Sequence, residues 1–117
     1  MKDCIFCKIS KGEIPSERIY ESQNFFSIFD HSPHIEGHVL VISKKHFKNI
    51  LEMPSSLGGE LLDTVKKTAL KLVEKYKSNG FNLVVNTNEA AGQEVDHVHV
   101  HILPRKKGDG FRIFVPK

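Results

Sequence analysis

The segment His97-Val98-His99-Val100-His101-Ile102-Leu103 constrains the fold more than any other. Imidazoles alternate with apolar residues at a period of two, which is the period of an extended strand and not the 3.6 of a helix. In a strand, His97, His99 and His101 emerge on one face and Val98, Val100 and Ile102 on the other. One face is equipped for chemistry and the other for burial, so the strand needs neighbours in a sheet and an apolar layer over its valine side. Three of the seven histidines at this spacing argue against chance placement on a surface strand. Imidazole alone among side chains has an ordinary pKa near neutrality, so one ring can stay neutral as a nucleophile while a neighbour carries charge. Three imidazoles can also bind a catalytic zinc ion, but rings from a single short strand are poorly placed to surround one tetrahedrally.

The rest of the chain supplies the sheet. Residues 18–21 and 24–29, apolar runs around Ser22-Gln23, predict two paired strands. The run Gly37-His38-Val39-Leu40-Val41-Ile42 predicts a buried strand, residues 81–85 another, and residues 95–103 the histidine strand, closed by Pro104. Residues 30–37 and 86–93 are rich in turn formers and predict loops. Leu61, Leu62, Val65, Ala69, Leu72, Val73 and Tyr76 fall at helical spacing and predict an amphipathic helix over residues 56–77, with Lys66, Lys67, Lys71 and Lys75 on its wet face. Ser78-Asn79-Gly80 should end it, with glycine taking a left-handed conformation. Residues 4–9 predict a short turn or helix. Strands joined mainly by short turns give an α+β class, an antiparallel sheet with one long helix on one face and a short N-terminal helix.

With 117 residues, the chain fits one domain over residues 1–117 and can bury a core without disulfides. The net charge of +3 comes from 17 basic and 14 acidic residues, the basic ones without a continuous run. This suits a small anionic ligand and gives no nucleic-acid footprint. The charged start Met1-Lys2-Asp3-Cys4 is unlike a secretory leader, and no apolar run approaches the length of a membrane span, so the expectation is a cytoplasmic protein without a membrane partner. In a reducing compartment, Cys4 and Cys7 are expected to serve a metal or redox role rather than a structural disulfide.

The stretch Gly92-Gln93-Glu94-Val95-Asp96-His97-Val98-His99-Val100-His101-Ile102-Leu103 resembles the motif of the histidine triad family of nucleotide hydrolases and transferases. Cys4-Ile5-Phe6-Cys7-Lys8-Ile9, Ile14-Pro15, Asp30-His31-Ser32-Pro33, Gly37-His38-Val39-Leu40-Val41-Ile42 and Lys44-Lys45-His46 resemble, in order, its purine nucleoside phosphoramidase branch and bacterial relatives. The tail from Pro104 to Phe111 is more similar to bacterial members and to the dinucleoside polyphosphate hydrolase branch.

The resemblance implies catalytic roles for His99, His101 and His38. His99 would attack the α-phosphorus of a nucleotide and form a covalent nucleotidyl-imidazole, which water then opens to release AMP or GMP. No metal is needed for that chemistry. His101 and the backbone N–H groups of Gly92, Gln93 and Glu94 would stabilise the phosphate oxygens, Asn86 would bond near the same phosphate, and His38 would orient the catalytic rings. Asp30 would accept the ribose hydroxyls, and Ile14 and Ile28, with Phe6 and His31 near them, would line the base slot. Glu94 replaces a serine of the eukaryotic phosphoramidases, which leaves the leaving-group preference open.

Cys4 and Cys7 have the spacing of a zinc knuckle, and the resemblance implies that His46 and His97 complete a structural Cys₂His₂ zinc site. Reduced, metal-free thiols are the alternative. A thioredoxin-like redox centre is disfavoured because no strand precedes the pair. The family further implies a homodimer with the sheet continued across a two-fold axis. The alternative functions are dinucleoside polyphosphate hydrolysis, nucleotide-binding regulation with residual catalysis, and a zinc-dependent binding module, which would leave His99 and His101 unexplained.

Overall fold

A computed structural model describes residues 4–113, so Met1, Lys2 and Asp3 of the charged start lie outside the described residues. Helix α1 (Ile5–Ser10) is followed by β1 (Tyr20–Glu21), β2 (Phe25–Phe29), β3 (Val39–Ser43), the long helix α2 (Gly58–Tyr76), β4 (Gly80–Val84) and β5 (His99–Arg105). The strands form one antiparallel sheet in the order β1-β2-β3-β5-β4, which matches the predicted class.

The period-two pattern divides the sheet into two faces. Val100 and Ile102 of β5 join Phe25, Val39 and Val41 under α2, which contributes Val65, Ala69 and Leu72. His99 and His101 pair with Ile42 and Leu40 of β3 on the opposite face. There Leu40 and Ile42 meet Phe26, Ile28, and Phe6 and Ile9 of α1 in a second apolar layer. The long helix therefore buries the valine side and leaves the histidine side to α1 and the loops.

Helix α2 departs from its predicted face in two respects. Leu62 is exposed, and Thr64 and Thr68 are fully buried instead. Thr68 shares a hydrogen bond with Ser27 of β2, and Thr64 donates to the Glu60 carbonyl and Ser22, so both hydroxyls are satisfied in the helix–sheet seam. The Glu60 carboxylate accepts from Ser22 Oγ and from the backbone and side-chain nitrogens of Asn24, anchoring the first turn to the β1–β2 connection. At the other end the left-handed residue is Lys77, at φ 54°, not Gly80. The chain must turn at once, because Gly80 already opens β4 opposite Arg105.

The histidine strand is also displaced from its predicted bounds. It begins at His99, so His97 sits in the preceding bend, and it runs through Pro104 instead of stopping there. Pro104 is tolerated because β3 has ended beside it: the first residue of β3, Val39, pairs with Ile102, so the missing N–H interrupts no ladder on that side. Among the described residues, no helix is long and apolar enough to cross a membrane.

Candidate functional site

The histidine face opens into a cavity of about 350 Å³. Its apolar wall comes from Ile5, Phe6, Leu40 and Val95, and its polar wall includes Asp30, His31, Asn86, Glu94, His99 and His101, with Gly92 at the loop. Most predicted site residues thus meet in one place. Ile14 and Ile28 do not line the cavity; they lie in the apolar layer shared with Phe6 and Leu40. Ile5, Ser32, His34, Leu40 and Val95 line it without having been singled out. Leu40 was recoverable from strand register, since it pairs with His101.

The backbone fixes the proton positions on the rings. His99 Nδ1 lies 2.7 Å from the His97 carbonyl oxygen, so it must carry the proton and donate it, leaving the Nε2 lone pair free. His38 has the opposite arrangement. Its Nδ1 accepts the His34 N–H at 3.1 Å, so the neutral ring carries its proton on Nε2 and donates to His101 Nδ1 at 2.9 Å. His101 is left with its own proton on Nε2. One ring of the cavity therefore offers an Nε2 lone pair and its neighbour an Nε2–H, with ring centroids 5.1 Å apart.

Electrostatics keep these rings neutral. Burial lowers the His99 and His38 pKa values and takes His101 down to about 4, where His99 and His38 add repulsion. The Asp30 carboxylate opposes the shift without cancelling it, its Oδ2 lying 3.6 Å from His38 Nε2. Its Oδ1 accepts the Ser32 N–H at 2.9 Å, which holds the carboxylate at the cavity edge. Among the described lining residues there is no lysine or arginine.

The loop before the strand holds a second departure. Gln93 is buried and turned away from the cavity: its amide nitrogen donates to the carbonyls of Lys48 and Val95, and its oxygen accepts the Asn88 N–H. The N–H groups of Gly92 and Gln93 are bonded to Glu89 and Asn88 within the turn. Of the three predicted backbone donors, only that of Glu94 has no protein acceptor among the described residues. Gly92 takes φ +89° beside the Asn86 amide, a conformation that glycine adopts without strain. Arg105 is likewise committed elsewhere, to Asp109 and Asn82, and Lys106 lines a separate cavity with Tyr76 and Ser78.

The displacement of His97 has a chemical consequence. Its Nε2 donates to the Ser43 carbonyl at 2.7 Å, so its Nδ1 lone pair points at Cys4 Sγ (3.2 Å), Cys7 Sγ (3.5 Å) and His46 Nδ1 (3.2 Å). Cys7 Sγ is 3.3 Å from His46 Nδ1. All four ligand atoms lie within 4.8 Å of one another. A tetrahedral zinc with ordinary bond lengths places nitrogen and sulfur about 3.6 Å apart and two nitrogens about 3.4 Å apart, close to these separations. Four electron-rich atoms converging around one point, one of them held deprotonated by the backbone, fit a cation. Burial takes the His97 pKa down to about 4, which keeps that nitrogen available.

Comparison with known proteins gives concordant results. A family model described as HIT domain matches residues 11–108. The chain is 42% identical over 107 residues to an adenosine 5'-monophosphoramidase of Candida albicans, covering 88% of this chain and 70% of that one. A crystal structure of a protein from Streptococcus mutans superposes with a TM-score of 0.92 at 41% identity, covering 100% of this chain and 74% of that chain. A zinc-bound histidine triad family protein from Mycobacterium smegmatis superposes with a TM-score of 0.89 at 34% identity, covering 96% and 81%.

Proposed function

The chain belongs to the histidine triad (HIT) family, and from that premise we propose that it hydrolyses purine nucleoside phosphoramidates to AMP or GMP through a covalent intermediate on His99. The observation that carries this reading is the opposed pair of tautomers, a free Nε2 lone pair on His99 beside an Nε2–H on His101. The purine enters the slot formed by Ile5, Phe6, Leu40 and Val95, and Asp30 accepts the ribose hydroxyls. His99 Nε2 attacks the α-phosphorus and forms a new P–N bond while the P–N bond to the leaving amine breaks, the amine taking a proton from solvent as it departs. His101 Nε2–H donates to a nonbridging oxygen, together with the Glu94 N–H and the Asn86 amide. Water then attacks the same phosphorus and gives up a proton to solvent, the P–N bond to His99 breaks, and His99 recovers its lone pair.

The charge of the cavity favours an amine leaving group over a polyphosphate. Its lining contains two acidic residues, Asp30 and Glu94, and the basic tail at Arg105 and Lys106 faces elsewhere. Among the described lining residues a long phosphate chain would find no lysine or arginine. The similarity to an adenosine 5'-monophosphoramidase supports the same choice.

Cys4, Cys7, His46 and His97 would hold zinc, which would supply a closed, structural tie between the N-terminal segment and the catalytic strand. We also infer a homodimer, because among the described residues β4 is an unpaired sheet edge with Phe81 and Leu83 exposed on it and Val85 exposed just after it.

The test compares kcat/KM for adenosine phosphoramidate and diadenosine tetraphosphate, with His99→Ala alongside. The phosphoramidate should be preferred by more than about tenfold, and His99→Ala should retain AMP binding while losing at least about 10³-fold in rate. A preference for the polyphosphate, or His99→Ala within tenfold of the parent, refutes the assignment.

A further inference from the structure

We propose that Cys4 and Cys7 form a redox gate on the histidine centre: a hydroperoxide closes them into a disulfide, the metal leaves, and the hold on His99 is lost. The proposal rests on the reading of His99 as the nucleophile, and its argument begins with the two tasks of His97. The ring of this residue enters the Cys₂His₂ cluster through Nδ1, while its carbonyl oxygen accepts the His99 Nδ1–H at 2.7 Å. The group that fixes the nucleophile's tautomer therefore belongs to a residue held by the cluster.

A second connection runs through Phe6, which lies between the two cysteines in sequence. Its ring packs edge-on against His97 at 5.8 Å and against His99 at 5.1 Å, and with Ile5 it lines the nucleotide cavity. Beyond the cluster, the polar ties holding α1 among the described residues are Ser10 Oγ to the Lys44 carbonyl and Arg18 to the carbonyls of Ile9 and Ser10. All three lie at the far end of the helix, so the end that carries Ile5 and Phe6 is held by the cysteines together with the apolar packing of Phe6 on Phe26, Leu40 and Ile42.

The pair is built to close. Both sulfurs ring the same nitrogen and lie within 4.8 Å of each other, and the Cys7 N–H donates to Cys4 Sγ at 3.4 Å, holding that sulfur over the first helical turn. Cys4 is partly exposed and Cys7 is buried, which makes Cys4 the sulfur that meets the oxidant and Cys7 the one that resolves it. In the first step Cys4 Sγ attacks the terminal oxygen of the hydroperoxide, the O–O bond breaks, and an alcohol leaves with a sulfenic acid formed on Cys4. Cys7 Sγ then attacks Cys4 Sγ, the S–S bond forms, and the hydroxyl departs as water after taking a proton. Two thiolates have lost two electrons, and the peroxide has gained two electrons and two protons. With its sulfur donors gone, the cluster retains only two imidazoles, too few to hold a structural ion.

The zinc-loaded full chain is treated with tert-butyl hydroperoxide and followed by four measurements: free thiols by alkylation and intact mass, released zinc with a chromogenic chelator, AMP affinity by calorimetry, and hydrolysis of adenosine phosphoramidate. The expected result is loss of both thiols to one disulfide, release of zinc in step with it, and a fall in hydrolysis of about 10–100-fold, the usual effect of losing an outer partner of a functional imidazole. A dithiol plus zinc should restore all of these. The Cys4→Ser/Cys7→Ser protein should begin at a lower rate and show no further fall on peroxide treatment. Disulfide formation and zinc loss with unchanged AMP affinity and hydrolysis overturn the proposal, as does an equal peroxide-induced loss in the double variant. If the untreated protein fails to hydrolyse the phosphoramidate, the functional reading fails, and the gate is judged separately on zinc release and AMP affinity.

Discussion

Replacing His38 separates the tautomer argument from a purely structural one. His38 is 1% exposed and bonds at both ring nitrogens, accepting from the His34 N–H and donating to His101 Nδ1. In His38→Ala a buried ring is lost, which costs about 2–4 kcal/mol, and its hydrogen bonds to the exposed His34 N–H and the half-buried His101 are lost at about 0.5–1.5 kcal/mol each. Because these contributions overlap, about 3–5 kcal/mol is expected, a fall in Tm of about 12–20 °C for a domain of this size. His101 would then be free to exchange its Nε2–H for Nδ1–H, and kcat/KM should drop about 10–100-fold. His38→Gln has an amide oxygen to accept and an amide N–H to donate, so it should recover most of that activity. Steady-state rates on adenosine phosphoramidate, with the His101 tautomer read by long-range ¹H–¹⁵N NMR, test the chain of inference. His38→Ala within threefold of the parent, or His38→Gln as impaired as His38→Ala, refutes it.

Acid should destabilise the fold through the same rings. His101 titrates at about 4 in the folded protein and about 6.5 when unfolded, so between these values the unfolded chain binds more protons and stability falls as pH is lowered; Tm should drop over this window, and His101→Gln should flatten the profile. A Cβ at Gly37 would lie 2.8 Å from the Tyr76 ring and 3.2 Å from Pro104, at a backbone φ of +83°. Gly37→Ala should therefore cost about 2–4 kcal/mol in denaturant unfolding from strain and overpacking together. At the free sheet edge, Leu83→Lys should shift the molecular mass in light scattering from dimer to monomer. An unchanged mass would place the interface elsewhere.

The sheet, the long helix and the division of β5 into a chemical and an apolar face were legible because each is a local period in residue polarity. His97 shows the limit of that signal. It fits the alternation of His99 and His101, yet it precedes the strand because its Nδ1 turns to Cys4, Cys7 and His46, residues 93, 90 and 51 positions away. The convergence on Cys4, Cys7 and His46 and the strand period compete at one residue, and local pattern records only the second. Gln93 shows a related limit. Its position in the motif places it with the phosphate loop, but a buried amide flanked by the Asn88 N–H and the Lys48 and Val95 carbonyls must satisfy those groups first. Arg105, in the tail that resembles the dinucleoside polyphosphate hydrolase branch, is taken by Asp109, four residues on, at 2.7 Å. In each case a polar side chain of the right chemistry is claimed by a nearer partner, so the described residues lining the cavity include Asp30 and Glu94 but no lysine or arginine to hold a long polyphosphate.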